Sequence, residues 1–412
     1  MEEGINNRIL VVSQYFWPEN FPIIYDLCKD LDSKGYQITV LTGYPNYPDG
    51  ELNSKFRANP LDYSSLGNIE IIRVPIFLRG KSNKLKLFIN YLSFVISATF
   101  IGGWKIRNKV FDFIFVYEPS PITVCLPAIA FKYSRKIPLV LWVQDLWPDN
   151  LIAINAIHSK FIIRLIKKLV SFIYRSCDLL LAQSQAFCEE IEKYEVDPSK
   201  VKYFPNFYSE MNLVPLNNNP LEASSLSQKF KILFAGNIGE AQDMPSILEA
   251  AQLLKTESIG AIVIIAGNGK KFQWVKNEIE KKNLNNQVRL IGHFPMEFTP
   301  ALFNSADALL VSLNNSKAFN KTIPGKIPYY LASSKPILGM VNGETARIIR
   351  DANCGFVADA GNTQALVHNI KKLMSMSATQ PERLGINGLH YAKREFHKKN
   401  LISKFELWIK EL

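Results

Sequence analysis

Histidine and cysteine are both scarce in this chain, five of each among 412 residues. The cysteines (Cys28, Cys125, Cys177, Cys188 and Cys354) form no paired spacing and are odd in number. That excludes a disulfide scaffold and reads as reduced, cytoplasmic thiols used as small core residues. No histidine belongs to a cluster with metal-ligand spacing. The Asp-x-Asp at Asp30–Asp32 falls within a helical pattern and reads as solvated surface, so no metal is expected. G-x-G-x-x-G is absent, which argues against a dinucleotide fingerprint. There is no Arg-rich run and no recognised nucleic-acid module, so nucleic acid is not an expected partner. The net charge of +11 is left for an anionic membrane face or for phosphorylated ligands. The opening "MEEGINNRILVVSQYF" is acidic and polar and runs into a strand, without a signal-peptide pattern.

Long uncharged runs are also few. Leu87–Trp104 is one, flanked by Lys84, Lys86, Lys105 and Arg107. At 1.5 Å per residue it reaches roughly 27 Å, just short of a comfortable bilayer crossing. A single crossing would put the strands on either side of it across the membrane from each other. A buried or membrane-dipping helix is therefore expected.

What is present is alternation. The composition, 47% hydrophobic and 21% charged, is that of a globular protein, and the length suits two domains. Strands are expected at Arg8–Ser13, Tyr36–Leu41, Glu70–Val74, Phe111–Tyr117, Pro138–Val143, Cys177–Ala182 and Val201–Phe204, with helical stretches between most of them. The Asn-, Pro- and Ser-rich segment 209–228 reads as a linker. Afterwards "FKILFAGNIG", "GAIVIIAGNG", "QVRLIGHF", "ADALLVSL" and "KPILGM" restart the pattern. The expectation is an α/β protein of two doubly wound, Rossmann-like domains, 1–208 and 229–397, facing across a cleft, with a helix 398–412 packing back.

Chemistry-bearing residues collect at strand ends. "FAGNIGEAQ" offers Gly236 and Gly239 for a tight turn before a helix start; it is either a diphosphate cradle or a plain strand-to-helix turn. "AGNGKK" repeats the device with Gly267, Gly269 and Lys270. Lys326 stands at a helix start, where it opposes the helix dipole unless an anion is present. Glu344 is either a favourable first-turn acid or an acceptor for sugar hydroxyls. In the first half, Glu19 and Asn20, Glu118, and Gln144, Asp145 and Trp147 supply acids, amides and rings of the kind a carbohydrate site uses. Lys160, Arg164, Lys167, Lys168 and Arg175 recur at helical spacing along a broad apolar face. This is a helix packed on the sheet with a solvated rim, or one that touches anionic lipid.

Taken in order, "QYFWPENF", "VLTGYPNYPDG", "FVYEPSPITV", "LWVQDLWPDN", "FAGNIGEAQ", "IPGKIPYYLASSKPIL" and "NGETARII" resemble GT-B fold glycosyltransferases of family 4. The likeness is to the bacterial O-antigen and capsule branch that includes L-fucosaminyltransferase-like (WbuB-type) proteins. It implies a retaining transfer from a nucleotide diphosphate donor, UDP-linked and carrying an N-acetylated 6-deoxy-aminosugar such as L-FucNAc. The implied acceptor is a lipid-diphosphate-linked saccharide at the anionic inner face of the plasma membrane, in surface polysaccharide synthesis. Donor contacts then fall on Gly236, Asn237, Ile238, Gly239, Gly267, Gly269, Lys270, Phe294, Pro324, Gly325, Tyr329, Glu344 and Thr345. The acceptor side falls on Glu19, Asn20, Phe21 and Trp147, and catalysis on Lys326, Asp145, Gln144 and Glu118.

The chain departs from the family at several places. Gln144 replaces a common histidine, and Tyr329 stands at the second of two usual glutamates. The usual Arg/Lys pair after the Gly-rich turn is missing, with Asn237 and Asp243 nearby, and Pro324-Gly325-Lys326 replaces Pro-Ser-Lys. Lys326 becomes the leading phosphate contact. A nucleotide-sugar 2-epimerase and a non-catalytic assembly scaffold are the rival classes.

Overall fold

The computed structural model describes residues 7–80, 84–153, 156–210, 214, 219–222, 226 and 228–412. Most of the expected linker lies outside the described residues. The chain divides into two compact units, Met1–Phe204 with Ile402–Leu412, and Pro205–Leu401.

The first unit is built on β1 (Arg8–Val12), β2 (Gln37–Gly43), β3 (Ser65–Leu66), β4 (Ile69–Val74), β5 (Phe113–Glu118), β6 (Leu139–Val143), β7 (Leu179–Ala182) and β8 (Val201–Tyr203). Their order in the sheet is β3-β4-β2-β1-β5-β6-β7-β8, parallel except for β3. β1, β2, β5, β6 and β7 are buried almost end to end. This is what helices on both faces of a parallel sheet require. One of these helices comes from the far end of the sequence: Phe405 of the helix Lys398–Ile409 packs edge-on against Phe113 and Phe115.

The second unit has β9 (Phe230–Ala235), β10 (Ala261–Ala266), β11 (Val288–Gly292), β12 (Ala308–Ser312), β13 (Ile337–Met340) and β14 (Gly355–Ala358). Their order is β11-β10-β9-β12-β13-β14, all parallel. The strand order reverses between β9 and β12, and there a crevice opens at the carboxyl ends. Its opening is visible in the register: β9 pairs with β10 over six positions but with β12 only at Ile232 and Leu233.

Of the two forms expected for the apolar run, a buried or a membrane-dipping helix, the first is contradicted. Lys84–Ser97 is helical, followed by a π-turn at Ala98–Gly102 and a last turn at Gly103–Lys105. It is not a buried helix. Asn90, Phe94 and Ala98 face the core, whereas Leu85, Phe88, Leu92, Ile96, Phe100 and Trp104 are 47–72% exposed. By length and composition Leu85–Lys105 could cross a membrane. However, β4 before it and β5 after it lie in one sheet, which a single crossing would pull apart.

Candidate active site

In the second unit, the two glycine turns pack backbone on backbone. A Cβ on Gly267 would sit 1.8 Å from the Gly236 carbonyl oxygen, and one on Gly269 2.4 Å from that of Ile238. Both glycines have positive φ, so any side chain is doubly disfavoured there. The closeness has a chemical consequence. The N–H of Gly236 donates to Ala266, that of Ile238 to Asn268, and that of Gly267 to Gly292. The Gly239 N–H donates to the Gln242 side chain. The turn's amides are thus largely spent on holding the sheet edge. Of the two expected readings, diphosphate cradle or plain strand-to-helix turn, these bonds are those of the turn, and they leave few of its own N–H groups for a ligand. A 3-10 turn, Glu240–Gln242, and left-handed Asp243 also separate the turn from the helix Met244–Thr256.

The positive charge comes instead from Lys326, the N-cap residue of the short helix Ile327–Ala332. Its backbone and stem are partly exposed, but its Nζ is shut away from solvent and has no hydrogen-bond partner. The Nζ lies 3.6 Å from the centroid of the Phe234 ring. A Cβ on Gly236 would meet it at 2.9 Å, so only glycine leaves the lysine this position. Burial alone pushes its pKa down, to about 7. One turn later, the buried Tyr330 hydroxyl accepts from the Ala235 N–H at 2.8 Å and donates to the Ala235 carbonyl at 3.2 Å. β12 has left the last peptide of β9 unpaired, and Tyr330 fills the gap. Lys326 and Tyr330 together occupy the splayed crevice. Sequence reading missed Tyr330, because its pattern there is that of an ordinary core aromatic.

The other expected donor contacts are dispersed. Lys270 is exposed, and Lys271 beside it pairs with Glu240. Thr345 is buried and donates to the Thr322 carbonyl. Gly325 is exposed, and Pro324, Tyr329 and Phe294 are half-buried. Both oxygens of Glu344 accept from Arg347, at 3.2 and 2.9 Å, so a sugar hydroxyl there would have to share or displace that guanidinium.

In the first unit, the ends of β5 and β6 bring Glu118, Gln144 and Asp145 together. Glu118 is fully buried; one of its oxygens accepts from the Asp145 N–H at 3.4 Å and the other has no partner. Asp145 accepts from the Asn150 amide at 2.5 Å. Gln144 is held through its carbonyl by Gln183, and its own side-chain NH2 has no partner. Desolvation holds the Glu118 carboxyl well above the usual range, and nearby Asp145 adds to this. Desolvation likewise pushes Asp145 up to about 7 against its hydrogen bonds from Ser120 and Asn150. The strand ends thus gather two desolvated carboxyls with raised pKa values, a carboxyl oxygen without a partner and an orphaned amide, a pattern that marks candidate functional sites. Trp147 flanks it and donates to Ser120 at 3.1 Å.

Glu19 has a second role. Its carboxylate accepts the N–H groups of Phe16, Asn46 and Tyr47 and so staples the loops after β1 and β2, a structural task the sequence did not suggest. Asn20 is exposed, and Phe21 stacks on Tyr15 with ring centroids 5.1 Å apart. Among the described residues, no group of three or more His, Cys, Asp or Glu is placed to hold a metal ion.

Two domain models account for nearly all of this chain: Glycosyltransferase Family 4 over residues 23–209 and Glycosyl transferases group 1 over residues 221–390. With two parallel-sheet units and these domains, the chain is a glycosyltransferase of the GT-B fold. It is 26% identical over 307 residues to the probable glycosyltransferase WbjE of Pseudomonas aeruginosa, covering 72% of this chain and 74% of that one. It is 22% identical to the putative colanic acid biosynthesis glycosyl transferase WcaI of Escherichia coli, covering 92% and 93%. Among solved structures, HepE of Anabaena in complex with UDP-glucose superimposes with a TM-score of 0.71 at 14% identity, over 98% of this chain and all of that one.

Proposed function

We propose that this chain transfers a sugar from a UDP-linked donor to a lipid-diphosphate-linked saccharide, with retention at the anomeric carbon, in surface polysaccharide biosynthesis. The observation that carries the proposal is the Lys326 Nζ, closed off from water without a partner at the switch point of the second sheet. An anionic ligand supplies what that group lacks. Relatives named for colanic acid and amylovoran biosynthesis support the polysaccharide setting. Structures of similar fold holding UDP-glucose or UDP-2-fluoro glucose support the donor class. The resemblance to the L-fucosaminyltransferase-like branch makes an N-acetylated 6-deoxy-aminosugar, L-FucNAc, the proposed sugar.

In this reading the protein supplies no nucleophile. The second unit holds the donor, and Lys326 meets the charge that grows on the departing diphosphate, in a dry setting where it counts most. Metal is not required, because the ammonium serves that purpose. Asp145, Gln144 and Glu118 orient the acceptor hydroxyl. The test is a panel of nucleotide sugars with a lipid-linked acceptor. Nucleotide release that depends on both is expected. Solvent deuterium entering the donor without acceptor would mean an epimerase, and no nucleotide binding at all would mean a scaffold.

The same reading places the first unit on the inner face of the plasma membrane. The helix Lys160–Ser176 exposes Phe161, Ile162, Leu165 and Phe172 by 45–69%, interleaved with exposed Lys160, Arg164, Lys167 and Lys168. Each cation near an anionic surface contributes about 1 kcal/mol, screened by salt. Changing Arg164, Lys167 and Lys168 together to Glu is expected to abolish binding to phosphatidylglycerol vesicles in flotation. Undiminished flotation would return the helix to ordinary packing.

A further inference from the structure

The motif "VLTGYPNYPDG" and the exposed apolar helix are not used by the site described above, and they meet at one residue, Arg79. The guanidinium donates to the Pro48 carbonyl at 2.8 Å and lies 5.5 Å from the centroid of the Tyr47 ring. The motif's last residue accounts for the fit. Gly50, with φ of +79°, accepts the Gly80 N–H, and a Cβ on it would fall 2.7 Å from the Arg79 Cγ. The loop after β2 is therefore shaped around this arginine. Among the described residues no carboxylate pairs with it, and one of its five N–H donors is engaged. The rings of Tyr15, Phe21 and Tyr47 pack together beside it, 5.1–5.5 Å apart.

On one side of Arg79 lies the helix Lys84–Ser97, whose Tyr91 feels the Arg79 charge and whose Phe88 and Leu92 are 62% and 47% exposed. On the other, Arg79 acts electrostatically on Tyr15, and Tyr91 is in turn within reach of the Asp145 charge. An exposed hydrocarbon-like face, an unpaired guanidinium, a platform of rings and a polar carboxyl site are thus all present in the first unit. They are the chemical complements of the parts of a lipid-diphosphate-linked sugar.

We propose that Arg79 binds the diphosphate of a lipid-linked acceptor, with the apolar face of the helix Lys84–Ser97 taking the adjoining hydrocarbon and the Tyr15–Phe21–Tyr47 rings taking the first sugar. This rests on the lipid-linked acceptor of the proposed function and adds the residues that read it. A guanidinium suits the task because its planar donors match two phosphate oxygens at once, where a lysine offers a single point.

The experiment titrates the full-length protein in mild detergent with farnesyl diphosphate, farnesol or inorganic diphosphate, each with excess UDP present. Farnesyl diphosphate is expected to bind at least tenfold more tightly than either fragment. Arg79→Met should weaken it about tenfold or more, the size of one charge-assisted contact, and leave farnesol unchanged. Arg79→Lys should recover part of the loss. Changing Phe88 and Leu92 together to Ser alters exposed positions and leaves folding intact; it should reduce farnesyl diphosphate binding to that of inorganic diphosphate. Wild-type affinity in either variant, or inorganic diphosphate binding as tightly as farnesyl diphosphate, overturns the proposal. Because no donor sugar is used, failure here is separate from failure of the transferase reading, which UDP binding and nucleotide release report.

Discussion

Lys326→Met is expected to lower turnover roughly 100- to 1000-fold, the cost of losing one electrostatic contact to the charge that develops in the transition state. Binding of the intact donor should fall much less, because the diphosphate gains charge as the glycosidic bond breaks. Stability should move the other way. The Nζ is buried against Phe234 with no hydrogen-bond partner. The folded-state pKa of about 7 lies below the ordinary 10.5, so the unfolded chain binds more protons between those values. Stability therefore rises with pH from about 7 to 10.5, and methionine should remove that slope. Near pH 8 the variant should be more stable by roughly 3 kcal/mol, read as a higher urea midpoint. Turnover within a few-fold of wild type would move the phosphate site elsewhere, with Lys270 the next residue to test.

Asp145→Asn is the second large effect. In the proposed function an ionised Asp145 accepts a hydrogen bond from the acceptor hydroxyl, and such proton-handling groups contribute about 100-fold or more. A loss of that size in kcat is expected, with UDP affinity changed by no more than about twofold, the scatter between sites that do not couple. The pH profile makes the assignment specific. Asp145 loses its proton near 7, and in the empty enzyme Lys326 does so near 7 as well. Plotted as kcat/KM, activity should form a narrow bell about neutrality, rising as Asp145 ionises and falling as Lys326 is neutralised. Asp145→Asn should erase the acid limb and leave the alkaline one. A profile that keeps both limbs in this variant would remove Asp145 from the reaction.

The strand ends were legible from sequence because buried parallel strands announce themselves as apolar runs. All seven strands expected before the linker are present within one or two residues, and each of the five stretches quoted after it contains a strand. β14 escaped because it is four residues long, lies at an edge and is half exposed, so "GFVA" carries little pattern. Helix exposure was not legible. Leu87–Trp104 has the composition of a core helix, and only the fold shows that the sheet takes one side of it. Hydrogen-bond allocation was equally hidden. Nothing in the sequence shows that three backbone N–H groups sit on Glu19, or that the N–H of Gly236, in a turn read as a phosphate cradle or a plain turn, is spent on Ala266. The importance of Lys326 came from a departure from the family pattern. What the sequence could not show is that its charge is buried.

Calorimetric titration of UDP into the protein at pH 8, repeated in buffers of different ionisation enthalpy, tests the central claim most directly. If the diphosphate sits on Lys326, binding must draw a proton onto a lysine that is mostly neutral in the empty site. Wild type should then take up close to one proton per UDP, and Lys326→Met should bind more weakly with almost no uptake. Proton uptake of the same size in both proteins, or no UDP binding by wild type, would contradict the account.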